Sequence, residues 1–231
     1  MRLSDAIRRM RATGAVPIIG DIKLRSPEHG DLARGRDPAA MAQAMVAGGA
    51  VAVSVVTEAE HYNGSLALLE TVRRAVQVPV LRKDFVRREQ DILDSRQAGA
   101  DAQLLTCCIM SEADMDRFYP VCMEAGLEPL IETHNEAEIG QANRLGASLI
   151  GINNRNIQQW ERDDGDVRRT ARLAGLAHSD AVIVSESAMM TPADVRAALD
   201  AGADAVLIGT ALLQADDITE QLKALRGVPC D

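Results

Sequence analysis

Two hydrophobic patterns alternate along the chain. Short runs in which nearly every residue is apolar predict buried strands at Val16 to Ile22, Val51 to Val56, Val78 to Leu81, Gln103 to Thr106, Glu128 to Glu132, Leu149 to Ile152, Val182 to Ser185 and Ala205 to Ile208. Between them apolar residues fall three or four apart, as on one face of a helix. Leu3, Ile7 and Met10 predict a short N-terminal helix that Gly14 ends. Asp37-Pro38 opens a second as N-cap and first-turn proline, and Gly48-Gly49 closes it. Ser65, Ser111 and Thr191 head three more. Helices are also expected over Arg88 to Ala98, Asn135 to Leu145 and Val167 to Leu173, with a final one after Gly209-Thr210. Leu24 to Arg36 reads as a long polar loop, and the loop after the sixth strand reaches through Trp160 and Asp163-Asp164-Gly165.

The tract Ala98-Gly99-Ala100-Asp101-Ala102 recurs as Ala201-Gly202-Ala203-Asp204-Ala205, with a looser copy at Leu145-Gly146-Ala147. Each copy gives a helix-ending glycine followed at once by a strand, so strand and helix alternate about eight times. Eight such units without an evident edge strand predict an α/β fold: a single (β/α)8 TIM barrel, residues 1–231, with a short N-terminal helix. Five strands end in ionisable or amide groups: Asp21-Ile22-Lys23, Arg82-Lys83-Asp84, Glu132, Asn153-Asn154-Arg155 and Ser185-Glu186-Ser187. In such a barrel those ends share one face, where active sites lie.

Composition narrows the class. Apolar residues make up 47% of the chain and aromatics 2%, so the core is aliphatic and an aromatic platform for nucleic acid is excluded. A formal charge of -9 without long acidic blocks argues against a general polyanion binder. No apolar stretch approaches the ~18 residues of a membrane span, and Met1 to Gly14 is too charged for a signal sequence, so a cytoplasmic location is expected. The expected partner is a small phosphorylated molecule, with neither nucleic acid nor membrane, and with monomer and homodimer both open. Cys107, Cys108, Cys122 and Cys230 lack the spacing of a zinc clip, and no disulfide framework is expected. His29, His61, His134 and His178 fall on separate loops, so no metal site is expected, and Gly209-Thr210 is neither a dinucleotide fingerprint nor a P-loop.

Lys83 at the tip of a buried run is poorly placed for packing and well placed for proton transfer. Lys23, Asp21, Glu132 and Asn153 would join it around the mouth, a set suited to acid-base chemistry on a small molecule. Ser187-Ala188 and Gly209-Thr210 follow the last two strands, where barrels commonly bind phosphate through backbone N–H groups.

Asp21-Ile22-Lys23 with Ser26-Pro27, Leu81-Arg82-Lys83-Asp84-Phe85, Glu132, Gly151-Ile152-Asn153-Asn154-Arg155, Ser185-Glu186-Ser187 and Leu207-Ile208-Gly209 follow one another as in the indole-3-glycerol phosphate synthase family, which the chain resembles from about Val16 to Leu213. The resemblance implies indole-ring closure on a carboxyphenylamino-deoxyribulose phosphate with loss of CO2 and water, and it implies no metal or organic cofactor. It implies Lys83 as general acid, Glu132 as its acid-base partner, Lys23 at the substrate carboxylate and Asn153 at a sugar hydroxyl. Ser26 and Arg155 would be further contacts, Phe85 and Leu104 walls of an anthranilate pocket, and Ser187, Ala188, Gly209 and Thr210 the phosphate cradle. Four features depart from the family pattern. Asp21 replaces a glutamate, Glu28-His29 replaces a serine and a lysine, Ala188 replaces a glycine, and the segment before the first strand is shorter. Four readings therefore stay open from sequence: the family reaction, a paralogue's reaction on a modified anthranilate-derived phosphate, a phosphate-binding barrel without turnover, and a different isomerase or lyase on a phosphosugar.

Overall fold

Eight parallel strands close on themselves: β1 (Ile18–Ile22), β2 (Ala52–Val56), β3 (Val80–Lys83), β4 (Ala102–Thr106), β5 (Glu128–Thr133), β6 (Leu149–Asn153), β7 (Val182–Glu186) and β8 (Ala205–Ile208). Each pairs with the next in the chain, and β8 closes the barrel on β1 through Ile18 opposite Val206 and Gly20 opposite Ile208. This computed structural model describes residues 1–155 and 167–227. Trp160, Asp163-Asp164-Gly165 and Cys230 lie outside the described residues.

Helices α1 (Leu3–Ala12), α2 (Pro38–Ala47), α3 (Leu66–Ala75), α4 (Glu89–Gln97), α5 (Glu112–Glu124), α6 (Glu136–Arg144), α7 (Arg168–Leu173), α8 (Pro192–Asp200), α9 (Thr210–Gln214) and α10 (Ile218–Leu225) complete the described elements of that size. Their starts follow from side-chain caps. Asp37, Ser65, Ser111, Asn135, Thr191 and Asp217 each accept a backbone N–H in the first turn. The repeated tract ends its helices through Gly99 and Gly202, at φ +92° and +101°, values that favour glycine.

Two sequence expectations are corrected. The loop between β1 and α2 is not wholly irregular, because Arg25–Ser26 and Gly30–Asp31 pair as a small antiparallel hairpin. The single final helix is two, α9 and α10, because Asp217 starts a new cap instead of continuing the first.

Strand parity sorts the side chains into two layers. One set, Ile18, Ile22, Val53, Val55, Val80, Leu105, Ile131, Ile150, Ile152, Ile183, Val206 and Ile208, joins the helices in one large core. The alternate set, Ile19, Ala52, Leu81, Ala102, Leu104, Leu130, Leu149, Val182, Val184, Ala205 and Leu207, fills the lumen. Leu3, Ala6 and Ile7 of α1 join the lumen set, so α1 plugs the end opposite the strand tips. Its anchor is the buried Glu128 carboxylate, which accepts the Ser4 N–H at 2.9 Å and the Ser4 hydroxyl at 2.6 Å and pairs with Arg2 at 3.0 Å. Among the described residues no helix is long and apolar enough to cross a membrane. With one end stoppered and the lumen packed, the barrel mouth opens at the C-terminal tips.

Candidate active site

On β1, β3, β5 and β7 a charged residue stands two positions beyond a lumen aliphatic, and on β6 an amide stands four beyond. Ile19 leads to Asp21, Leu81 to Lys83, Leu130 to Glu132, Val184 to Glu186, and Leu149 through Gly151 to Asn153. Parity therefore carries these groups to the inside of the mouth as an extension of the core. Arg82 and Asp84, flanking Lys83, point outward and clamp the strand end. Arg82 donates to Thr57 Oγ1 at 2.8 Å, to Ser95 Oγ at 2.9 Å and to Asp84 Oδ2 at 2.8 Å, while Asp84 also accepts the Phe85 N–H at 2.8 Å.

Lys83 Nζ donates to Glu132 Oε2 at 2.9 Å and to Glu186 Oε2 at 3.1 Å. Both carboxylates are buried. Burial opposes the Lys83 charge, but Glu132, Glu186 and Asp21 outweigh it and hold the ammonium well above its ordinary range. Burial also pushes Glu132 up, and Lys83 with His134 more than reverses this, so Glu132 is the more acidic of the pair. Glu186 goes the other way. Burial and the Glu132 and Asp21 charges lift it to about 7, against the pull of Lys83. The cluster thus holds a charged donor, an ionised acceptor and a carboxyl titrating near neutrality, the elements of acid-base catalysis.

Two adjoining cavities meet at Asp21, Lys23 and Lys83, which line both. The first, about 510 Å³, is walled by Val56, Tyr62, Phe85 and Leu104 and includes Glu132. The second, about 430 Å³, is lined by Arg155, Ser187, Ala188, Gly209 and Thr210. An apolar slot and a cradle of backbone and hydroxyl donors therefore flank Lys23 and Lys83. Ser26 and Asn153 line neither cavity. Ser26 Oγ accepts the His29 N–H at 3.0 Å inside the hairpin loop. Asn153 Oδ1 accepts the Arg155 N–H at 3.0 Å, while its buried Nδ2 has no hydrogen-bond partner among the described residues. Among the described residues one set of metal-ligand atoms, from Glu58, Glu60 and His61, lies within 4.8 Å. The Glu58 carboxylate there already accepts the N–H groups of Glu60, His61 and Tyr62, which makes the set a turn lock.

The sequence profile of the indole-3-glycerol phosphate synthase family matches residues 1–225. The chain belongs to the indole-3-glycerol phosphate synthase family. It is 41% identical to indole-3-glycerol phosphate synthase of Nocardioides sp. over 224 residues, 97% of this chain and 85% of that one. It is 41% identical to the synthase of Pyrococcus furiosus over 221 residues, 96% and 95% of the two chains, and 39% identical to that of Thermococcus kodakarensis, 96% of each. Relatives of matching length thus exist, and a short first segment does not set this chain apart. A solved structure of thiamine phosphate pyrophosphorylase from Pyrococcus furiosus superposes with a TM-score of 0.66 over 92% of this chain and 94% of that one at 14% identity, a likeness of fold alone.

The departures from the family pattern have physical consequences. Asp21 approaches the β8 end so closely that a Cβ on Gly209 would lie 2.9 Å from its Oδ2, so the short carboxylate and the glycine fit each other. Glu28 pairs with Arg155 at 3.0 Å, tying the hairpin loop to the β6 end. Ala188 sits at φ +62° and Ser187 at +66°, the left-handed region in which a non-glycine residue costs on the order of 1 kcal/mol or more. In an indole-3-glycerol phosphate synthase with glycine there, that strain is absent.

Sequence reasoning passes over Glu186 as a site residue, although it lies two residues after Val184 in the lumen parity. Its place depends on Gly151, where a methyl group would collide with the Glu186 carboxylate. The raised Glu186 makes a stability prediction. The folded state holds this proton up to about pH 7, whereas the unfolded chain releases it near the ordinary value of 4.5, so the contribution is full at low pH and lost as pH rises. Glu186→Gln has no such loss. Its stability relative to the native protein should grow between about pH 4.5 and about pH 7, by about 1–3 kcal/mol, in urea unfolding. A difference independent of pH would contradict this account of Glu186.

Proposed function

We propose that this protein closes the indole ring of 1-(2-carboxyphenylamino)-1-deoxyribulose 5-phosphate, releasing CO2 and water to give indole-3-glycerol phosphate. The observation that carries the reading is the position of Lys83 between an apolar slot and an anion cradle, with its ammonium held by Glu132 and Glu186. The substrate has the same layout. Its aromatic ring suits the slot at Phe85 and Leu104, its phosphate suits Ser187, Ala188, Gly209 and Thr210, and its ketone falls between.

In ring closure the ring carbon bearing the carboxylate attacks the ketone carbon, and Lys83 donates a proton to the ketone oxygen, which becomes a hydroxyl. The carboxylate then leaves as CO2, and its bonding electrons restore the aromatic ring. Lys23, at the junction of the two cavities, is the cation for that carboxylate before it departs. In the dehydration a proton from the Lys83–Glu186 pair goes to the hydroxyl, which leaves as water, while the neighbouring carbon gives its proton to ionised Glu132 and the C–H electrons form the new double bond of the indole ring. Asn153, through an Nδ2 without a partner among the described residues, and Arg155, at the rim of the phosphate cavity, orient the sugar-phosphate arm. This assigns the chain a decarboxylating carbon-carbon lyase activity. Among the described residues no feature favours the binder, the paralogue or another phosphosugar isomerase or lyase over it.

Two measurements test this. Purified protein mixed with the substrate should produce indole fluorescence, and Lys83→Met should lower turnover by about 10²–10⁴ with the fold intact. Normal turnover by that variant would move the acid elsewhere. Asp21→Glu should leave kcat/KM level or raised, because the longer carboxylate restores the family's reach at Lys23. A marked fall in kcat/KM would show a site shaped around Asp21 for another ligand.

A further inference from the structure

His134 lies two residues beyond Glu132, at the β5 exit, and its ring is 12% exposed. Its backbone N–H donates to Glu138 Oε2 at 2.7 Å, and its Nδ1 lies 3.2 Å from the same oxygen. Glu138 is fixed in turn on α6, where its Oε1 accepts Asn135 Nδ2 at 2.6 Å. On the other side of the ring, Nε2 lies 3.6 Å from Glu132 Oε1. Glu132 Oε2 is already taken by Lys83, and neither Glu132 Oε1 nor His134 Nε2, both buried, has a hydrogen-bond partner among the described residues. The two unmet atoms face each other.

A neutral imidazole has one N–H and one lone pair. Here both ring nitrogens face carboxylate oxygens, so a neutral ring would set a lone pair against one of them. Only the doubly protonated ring presents a donor to each. The charged and titratable groups around it agree: Glu132 on β5, Glu138 on α6 and Cys108 in the turn after β4, with Lys83 and Glu186 behind Glu132. Burial opposes the imidazolium, but hydrogen bonds with Cys108 and Glu138 and the Glu132 charge outweigh it and lift His134 to about 10.

We propose that His134 is a positioning residue for Glu132: as an imidazolium bridging Glu138 and Glu132, it keeps Glu132 the ionised member of the carboxylate pair and leaves the shared proton to Glu186. Without that charge Lys83 alone would serve two carboxylates, and the proton would spread onto the group that must accept one during dehydration. The inference rests on the reading of Glu132 as proton acceptor given above.

The test is a pH profile of kcat/KM for His134→Gln, which can still donate a hydrogen bond to Glu138 but carries no charge. Removing a positive charge at this distance raises the proton affinity of Glu132. The acid limb should move up by about one pH unit, so that kcat/KM on that limb falls about tenfold at a given pH while changing little at neutral pH. His134→Lys should return the limb toward its native position. A merely structural histidine would lower the unfolding temperature and leave the limb in place, and an unmoved limb in folded His134→Gln overturns the proposal. Glu132→Gln is assayed alongside to separate the two ideas. If it retains full turnover, the reading of Glu132 fails and the proposal with it; if it is inactive while the His134→Gln limb is unmoved, the His134 proposal fails alone. Should His134→Gln not fold, imidazole ¹⁵N NMR of the native protein decides. Persistence of a doubly protonated His134 through pH 8 supports the proposal, and titration near the ordinary 6.5 overturns it.

Discussion

Lys83, Glu132 and Glu186 meet within 3.1 Å at the end of a packed aliphatic lumen, and the site is built around keeping those charges there. Taking a single ion out of water costs several kcal/mol after relaxation, so each of the three is tolerable only through the others. Two carboxylates and one ammonium do not balance. The mismatch is met by Glu186, which keeps its proton to about pH 7, and by the imidazole beside Glu132. Such clusters destabilise a fold relative to apolar packing and persist where they supply chemistry.

The barrel delivers this cluster by repetition of one geometric rule. Ile19, Leu81, Leu130 and Val184 fill the lumen, and the residue two positions on from each reaches the mouth. Space there is made by omission. Gly151 leaves room for the Glu186 carboxylate, and Gly209 leaves room for Asp21. The outward-facing neighbours of Lys83 complement this, since Arg82 and Asp84 tie the β3 tip to Thr57 on one side and to Ser95 of α4 on the other. Positioning of the ammonium thus depends in part on Arg82, which lines neither of the two cavities.

The eight strands are legible in the sequence because parallel strands covered on both faces read as unbroken apolar runs, and the helix starts because Asp37, Ser65, Ser111 and Thr191 are strong caps. The hairpin at Arg25–Ser26 is hidden, since two-residue strands carry no periodic signal, and the stretch across Asp217 reads as continuous helix. At the site, Lys83 and Glu132 are visible as charges ending apolar runs. Glu186 is visible too but stands beside Ser187, and the serine draws the phosphate reading. Counting parity from Val184 separates them, placing Glu186 with the lumen set. Sequence does not give the sign of φ at Ala188, on which the cost of replacing glycine depends. Nor does it give the pairing of Glu28 with Arg155, which joins residues 127 positions apart.

Everything in the proposed chemistry depends on Lys83 being a charged proton donor throughout the pH range of turnover, held so by its carboxylates. The chain has three lysines, Lys23, Lys83 and Lys223, so ¹⁵N-lysine labelling gives a spectrum simple enough to follow each amine. With Lys83→Arg used to assign the signal, the Lys83 nitrogen should remain an ammonium above the ordinary value of 10.5, and Glu132→Gln should lower its titration point. A Lys83 that loses its proton near neutral pH, or that titrates identically with and without the Glu132 carboxylate, would contradict it.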